Sequence, residues 1–383
     1  MKRLGHVDPT ALTLAVERLA TLGGPPVSAE PAETGPAEVT AVTRALAATD
    51  GGQVVASGGT TGKIKITTIA HHQGIPRLLR TWHPLHPGDV LLNLFRPGRL
   101  WGAHYFYNAL AAYCESAVLP MGSVSADELQ DWAGVFADTG VTALAGAPSG
   151  LADFAAAAIE LDVRLPVRTV IWAGEPMTPA RRDVIAEAFP GCRFWGNYGS
   201  IETYVIGVNR PDCDPGTVHL LPDQLLESDA DRTLLTRTGD GWPVPVVRYR
   251  LGDRVTEADC PCGDADAFRV LGRIDDRVKF FNTMLCLGDV LDIVRGVDGV
   301  TDAQLVLTPD GPGASAVEVR YVGAAESAAV RAHLLHKVYA LTTITANRPE
   351  SVSATRSSTL DRNDRTGKVT PYTWREQRKV ATH

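Results

Sequence analysis

From Val54 to Gly199 short apolar runs alternate with alanine-rich segments of helical period, and this alternation constrains the fold most strongly. "DVLLNLF" reads as a buried strand and "RLWGAHYFYNALAAYCE" as a helix. "SAVLP" is a strand, "SADELQDWAGVFADTG" a helix capped by Ser125, and "VTALAGAPS" a strand running into a turn. "GLADFAAAAIEL" and "TPARRDVIAEAFP" add helices, the second with Thr178 as N-cap and Pro179 in its first turn. The strands "VRTVIWAGE" and "CRFWGNYG" complete the pattern. Continuous apolar strands separated by helices imply a mainly parallel sheet covered on both faces.

The flanks have a different texture. Residues Met1 to Asp50 predict one helix, Thr10 to Thr21, and a proline-rich linker, "GGPPVSAEPAETGP". After Tyr204 short strands with Gly and Asp turns take over: "GTVHLL", "QLLES", "RTLLTRT", "VPVVRYRLGD" and "AFRVLGRID". From Arg277 a smaller α+β segment holds "AQLVLTP", "SAVEVRYVG" and the helix "ESAAVRAHLLHKVYAL", followed by a polar, arginine-rich tail. At 383 residues the chain is too long for one simple core. The expected fold class is α/β plus β. A large domain of mainly parallel sheets and helices, residues 1–274, includes a β-rich subdomain at about 205–270. A small, mobile α+β domain, 275–383, follows.

A net charge of -7 argues against nucleic acid or an anionic membrane surface as partner. No apolar run is long enough to span a bilayer, and Met1-Lys2-Arg3 is not followed by a signal-peptide core, so a cytoplasmic location is expected.

"VVASGGTTGKIKITT" is the first stretch with chemistry in it. A Walker A loop needs Gly, four residues, then Gly-Lys-Ser/Thr; here Ser57 occupies the first glycine's place and Ile64 follows Lys63. Gly58, Gly59 and Gly62 would still let backbone amides approach a polyphosphate. Ser57, Thr60 and Thr61 offer hydroxyls, and Lys63 or Lys65 adds positive charge. Taken alone, the stretch fits a solvated turn equally well.

Other motifs break that tie. "SGGTTGKIK" resembles the phosphate loop of the adenylate-forming superfamily. "WAGEPMT" is similar to the Gly-Ala-Glu-Pro segment of phenylacetate–CoA ligases, "NYGSIE" to Tyr-Gly-x-Thr-Glu, and "RYRLGD" to Arg-Tyr-Arg-Thr-Gly-Asp. "LGRIDDRVK" resembles the Gly-Arg-x-Asp-Asp hinge, and "RTGKV" the terminal Gly-Lys. The resemblance runs in order from Val54 to Val369 and is nearest to the phenylacetate–CoA ligase branch.

It implies ATP- and Mg²⁺-dependent activation of a carboxylic acid to an acyl-adenylate. The acyl group then passes to a second nucleophile, coenzyme A by default, or to an amine or a carrier thiol. Under it the Ser57–Lys63 loop holds the β- and γ-phosphates. Tyr198 stacks on adenine, Ala173, Gly174 and Glu175 run along the base edge, and Asn197 and Gly199 flank the tyrosine. Glu202 binds Mg²⁺, Asp253 takes the ribose hydroxyls, Arg273 reaches the ribose or a phosphate oxygen, Asp275 is the hinge, and Lys368 is the catalytic lysine. Trp101, Gly102, His104 and Tyr105 line the acyl pocket, and their aromatic character suits an aryl-bearing acid. An inactive nucleotide-binding scaffold is the alternative from another class.

Three departures qualify the match: Ile201 and Leu251 each replace a threonine, and Phe281-Asn282 stands where the family carries Arg-Gly, which weakens the case for coenzyme A. A shorter segment than usual precedes the loop, so a homodimer partner is an expected cover for that face.

The six cysteines divide into two groups. Cys213, Cys260 and Cys262 with His219 supply Cys₃His, a closed tetrahedral zinc set with a structural role, against the alternative of reduced thiols in a β-rich region. A similar arrangement occurs in the phenylacetate–CoA ligase branch. Cys114, Cys192 and Cys286 read as core, and His71, His72, His83 and His86 as surface histidines.

Overall fold

The computed structural model describes the chain apart from Ala29, 58–64, Ala230, Asp240, Asp275, Asn282, Pro312 and 376–383. The chain forms two compact units: Met1–Val270 with Arg365–Gly367, and Leu271–Asp364 with the residues from Lys368 onward.

A nine-stranded sheet organises the first unit. Its order is Asp253–Glu257, Ala267–Arg273, Val218–Leu220, Tyr204–Asn209, Arg193–Ser200, Thr169–Ala173, Ala143–Gly146, Val90–Asn93 and Ala117–Leu119. The last five strands are parallel, and helices at Gly102–Tyr113, Ala126–Asp138, Pro148–Glu160 and Pro179–Ala188 connect them. Successive strand residues point to opposite faces. Leu91, Ala143 and Ile171 therefore enter one core with Trp82, Tyr107 and Leu110. Their neighbours Leu92, Leu144 and Val170 enter the other with Leu129, Phe136 and Phe154. Burial on both faces is why these strands read as unbroken apolar runs.

The β-rich region differs from the expectation of a subdomain over about 205–270. A hairpin at Ser200–Tyr204 turns the chain back beside Arg193–Ser200, so four of the later strands extend the main sheet. Gln224–Ser228, Thr233–Arg237 and Val246–Leu251 form a separate antiparallel sheet with Lys2–Gly5.

The N-terminal segment also holds more structure than one helix and a linker. Lys2–Gly5 is a strand that exists through its pairing with Gln224–Ser228, a long-range contact that four residues cannot announce. Pro36–Asp50 is a second helix, following Pro9–Thr21. Pro36 is its first helical residue, Glu38 Oε2 accepts from the Gly35 N–H at 2.9 Å, and Val39 and Val42 face the core.

In the second unit the long hairpin Val300–Asp310 with Gly313–Gly323 is flanked by Arg277–Phe280, Thr283–Cys286, Val352–Arg356 and Tyr372–Trp374. Leu287–Arg295 and Ser327–Lys337 pack on it around Leu291, Val294, Leu305, Tyr321 and Leu334. The single helix expected over "ESAAVRAHLLHKVYAL" is two, Ser327–Lys337 and Tyr339–Asn347. They break at Val338, whose backbone (φ -116°, ψ 89°) is not helical. Cys114 is buried as expected, whereas Cys192 and Cys286 are half-buried.

Candidate functional site

In open α/β sheets ligands gather beyond the carboxyl ends of the parallel strands. Here those ends are Asn93, Gly146, Ala173 and Asn197–Ser200.

At the first, fully buried Asn93 donates from Nδ2 to the His104 carbonyl (3.0 Å) and to Asn108 Oδ1 (2.8 Å), and its Oδ1 accepts from the Phe95 N–H (3.1 Å). His104 is buried and pairs through Nδ1 with the Phe95 carbonyl at 2.6 Å, which fixes its ring. Phe95 lies edge-on to Trp101 and stacks on Tyr107 at 4.6 Å. Trp101, His104 and Tyr107 recur every third residue and share the inner side of helix Gly102–Tyr113. Tyr105 stands apart at 38% exposure, its ring edge-on to His104, and Gly102 packs toward Val55.

Tyr107 links this group to strand Arg193–Ser200, two strands beyond the neighbour of Val90–Asn93 in the sheet, accepting a hydrogen bond from Asn197 Nδ2 at 2.7 Å. Its hydroxyl pKa is raised by burial, so the phenol stays neutral. Asn93 was not singled out in the sequence. The signal available was an asparagine ending an otherwise apolar strand.

Beyond strand Thr169–Ala173, Gly174 is exposed and Ala173 half-buried. Glu175 turns inward: its Oε2 accepts from the Ser149 N–H at 3.0 Å and lies 3.5 Å from Arg181 Nη1, with both side chains buried. The carboxylate thus caps helix Pro148–Glu160 at its positive end.

Tyr198 donates its hydroxyl hydrogen to Asp253 Oδ2 at 2.7 Å, and its ring meets Phe268 edge-on. Two residues distant in the chain and attributed to adjoining parts of a nucleotide are therefore in contact. Gly199 follows, at a register shift where a Cβ would lie 2.0 Å from the Tyr204 carbonyl oxygen; only glycine fits. Glu202 is 9% exposed in the turn that closes this hairpin. Ile201 packs against the core cluster that contains Val55, Ile69 and Tyr204. Leu251, at the other replaced threonine, is buried among Ile206, Tyr249 and Phe268.

Arg237 is a further residue the sequence did not reveal. Fully buried, it donates from Nη1 to the Thr203 carbonyl beside Glu202 and lies 4.2 Å from the Trp242 ring centre. Its Nε and Nη2 have no hydrogen-bond partner among the described residues, and burial pulls its pKa down to about 9.

Gly58, Gly59, Thr60, Thr61, Gly62 and Lys63 lie outside the described residues, as does Asp275; Ser57 ends the strand that leads into the loop. Arg273 ends strand Ala267–Arg273, half-buried. Lys368 belongs to the second unit, half-buried near the end of a narrow loop closed by the bridge Arg362–Val369.

The ligand atoms of Cys213, His219, Cys260 and Cys262 lie within 4.8 Å of one another. Cys213 Sγ is 3.8 Å from Cys262 Sγ, which in turn is 3.3 Å from His219 Nε2. Zinc with Zn–S of about 2.3 Å and Zn–N of about 2.05 Å has tetrahedral edges of about 3.8 and 3.6 Å, so the donors fit. His219 Nδ1 is engaged by the Ala265 carbonyl at 3.0 Å, which leaves Nε2 for the metal. Burial raises the Cys213 thiol, pushing it up to about 12. At Cys260 the Cys262 and Asp214 amides, with the His219 and Cys262 side chains, outweigh burial and bring it to about 7.

A cavity of about 320 Å³ opens between helix Pro36–Asp50, strand Lys65–Ile69 and the Gly241–Val244 segment, with Tyr204 and Trp242 in its wall. Among the described residues, none of the nucleotide-site candidates lines it.

This architecture is that of adenylate-forming ligases. It superimposes on 2-hydroxyisobutyryl-CoA ligase in complex with its acyl-AMP at a TM-score of 0.68, covering 97% of this chain and 89% of that one at 16% identity. The anthranilate CoA ligase bound to anthranoyl-AMP gives a TM-score of 0.58 over 82% and 65% of the two chains, at 18% identity. The indoleacetate–lysine synthetase of Pseudomonas savastanoi is 23% identical over 244 residues. That match spans 62% of this chain and 61% of the relative's length. The family model for AMP-binding enzymes matches residues 8–266, and the chain belongs to that family.

Proposed function

We propose that the protein activates a carboxylic acid with ATP, forming an acyl-adenylate, and passes the acyl group to a second nucleophile. The observation that carries this reading is the Tyr198–Asp253 contact at the end of the parallel sheet, which joins an aromatic surface for a base to a carboxylate for two ribose hydroxyls. An oxygen of the acid attacks the α-phosphorus, the bond to the bridging oxygen breaks, and pyrophosphate leaves. The protein's work is alignment and neutralisation of charge.

Under this reading Tyr198 stacks on adenine, with Ala173, Gly174, Asn197 and Gly199 around it. Asp253 and Arg273 hold the ribose, and Ser57 to Lys63 guide the leaving phosphates. Glu175 acts here through the helix it caps, steadying the strand end. Glu202 supplies a hard carboxylate oxygen to the Mg²⁺ that accompanies ATP. Lys368 brings a compact positive charge to the acid and the α-phosphate, and Asp275 is the hinge about which the small domain turns. Trp101, His104 and the Phe95–Tyr107 stack form the wall for an aryl-bearing acid. Cys213, His219, Cys260 and Cys262 hold a structural zinc.

Coenzyme A is the default acceptor. The amide-forming name of the indoleacetate–lysine synthetase supports a second reading in which an amine takes the acyl group.

ATP–pyrophosphate exchange across indole-3-acetate, phenylacetate, anthranilate and 2-hydroxyisobutyrate tests the first step. One acid class should support exchange, and Lys368→Ala should lower it by about a hundredfold or more. Unchanged exchange in that variant would remove the lysine's role. Adding coenzyme A or lysine then separates thioester from amide as product.

A further inference from the structure

Gln304 lies in the middle of strand Val300–Asp310, between the core residues Ala303 and Leu305, and is fully buried. An amide there costs desolvation that a leucine would not, unless hydrogen bonds compensate. Its bonds go to the two stems of one loop. Nε2 donates to the Asp361 carbonyl at 3.1 Å and to the Thr370 carbonyl at 2.6 Å, and Oε1 accepts from the Asp361 N–H at 3.3 Å. The stems also bond each other, Thr370 N–H to Asp361 O and Asn363 N–H to Lys368 O, both at 2.9 Å. Between them lie the Arg362–Val369 bridge and Lys368. Arg320, opposite Gln304 in the strand pairing, reaches Asp361 Oδ2 at 3.8 Å.

We infer that Gln304 is a positioning residue for Lys368: its side chain pins both stems of the lysine's loop to strand Val300–Asp310 of the second unit. The inference rests on the proposed role of Lys368 in adenylation. A long, flexible lysine delivers its charge accurately only if its backbone is fixed. Gln304 adds side-chain contacts to both stems from a strand that is itself paired on both sides.

The test compares Gln304→Met, which keeps length and volume without an amide, and Gln304→Glu, which keeps one acceptor but loses both donations. Exchange is measured with whichever acid of the panel works fastest in the parent. Both variants should lower exchange about tenfold or more. In a Lys368→Ala background Gln304→Met should have no further effect, whereas general destabilisation would lower both backgrounds alike. Hydrogen exchange on the full chain, without any ligand, should show faster exchange across residues 361–370 and unchanged protection in helix Leu287–Arg295.

Parent-like exchange in Gln304→Met, with Lys368→Ala impaired, would overturn the inference alone. Additive losses in the double variant would also overturn it. Parent-like activity in Lys368→Ala would instead overturn the reading on which the inference rests.

Discussion

Tyr198 and Asp253 show what a residue pair can do that neither member does alone. The phenol hydroxyl spends its one proton on Asp253 Oδ2, which fixes the carboxylate beside the aromatic ring. Tyr198→Phe keeps the aromatic face and loses only the brace, so KM for ATP should rise a few-fold, about 1 kcal/mol, with kcat little changed. Asp253→Ala removes the acceptor itself and should raise KM for ATP by about ten- to a hundredfold. Steady-state kinetics with ATP varied at saturating acid separates the two; equal effects would mean that Tyr198 acts only through Asp253. Both residues were readable because each sits in a short motif with fixed spacing. Their contact was not, since 55 positions separate them. Asn197 and Tyr107, Arg237 and Thr203, and Gln304 and Asp361 were hidden for the same reason: folding brings together groups that no local pattern relates.

At the scale of elements, the parallel strands were legible because burial on both faces leaves an unmistakable apolar run, while Lys2–Gly5 was not, because its partner alone makes it a strand. The amino ends of the same parallel strands hold a polar knot remote from the candidate site. Buried Asp89 accepts from the His86 N–H at 2.9 Å, from Thr142 Oγ1 at 2.8 Å and from Arg168 Nη2 at 2.9 Å, while Thr142 Oγ1 accepts from the Val90 N–H. Burial opposes ionisation of Asp89, but these donors outweigh it and hold the pKa below the usual carboxylate value. The knot binds three strand starts together, so its loss should cost stability and spare chemistry. Asp89→Asn should lower unfolding free energy by about 2 kcal/mol at pH 7, measured in urea. Because the folded pKa is the lower one, the contribution is complete above the unfolded pKa and disappears as pH falls through the folded one. The gap between parent and variant should therefore close below about pH 4. A gap that persists in acid would point to packing rather than charge.

Over the whole molecule, each unit has its own apolar core, and the metal-fitting cluster belongs entirely to the first. Cys213 sits between strands Tyr204–Asn209 and Val218–Leu220, the second of which carries His219. Cys260 and Cys262 sit between Asp253–Glu257 and Ala267–Arg273. A zinc held by these four residues would tie two connections of the antiparallel half of the main sheet, one of them following the strand that begins at Asp253. With four protein ligands it has no open position for substrate, so its effect must pass through the fold. The parent should contain one zinc per chain, and Cys260→Ser should contain almost none. In calorimetry the variant's first unit should melt about 5 °C or more below the parent, because metal affinity of a closed site is folding free energy. The transition of the second unit should stay in place. Activity should fall mainly through KM for ATP, the parameter the proposed function assigns to Tyr198 and Asp253, with Mg²⁺ dependence unchanged. If zinc loss instead abolished kcat at full thermal stability, the metal would be acting in the chemistry, and a closed Cys₃His site would be the wrong description.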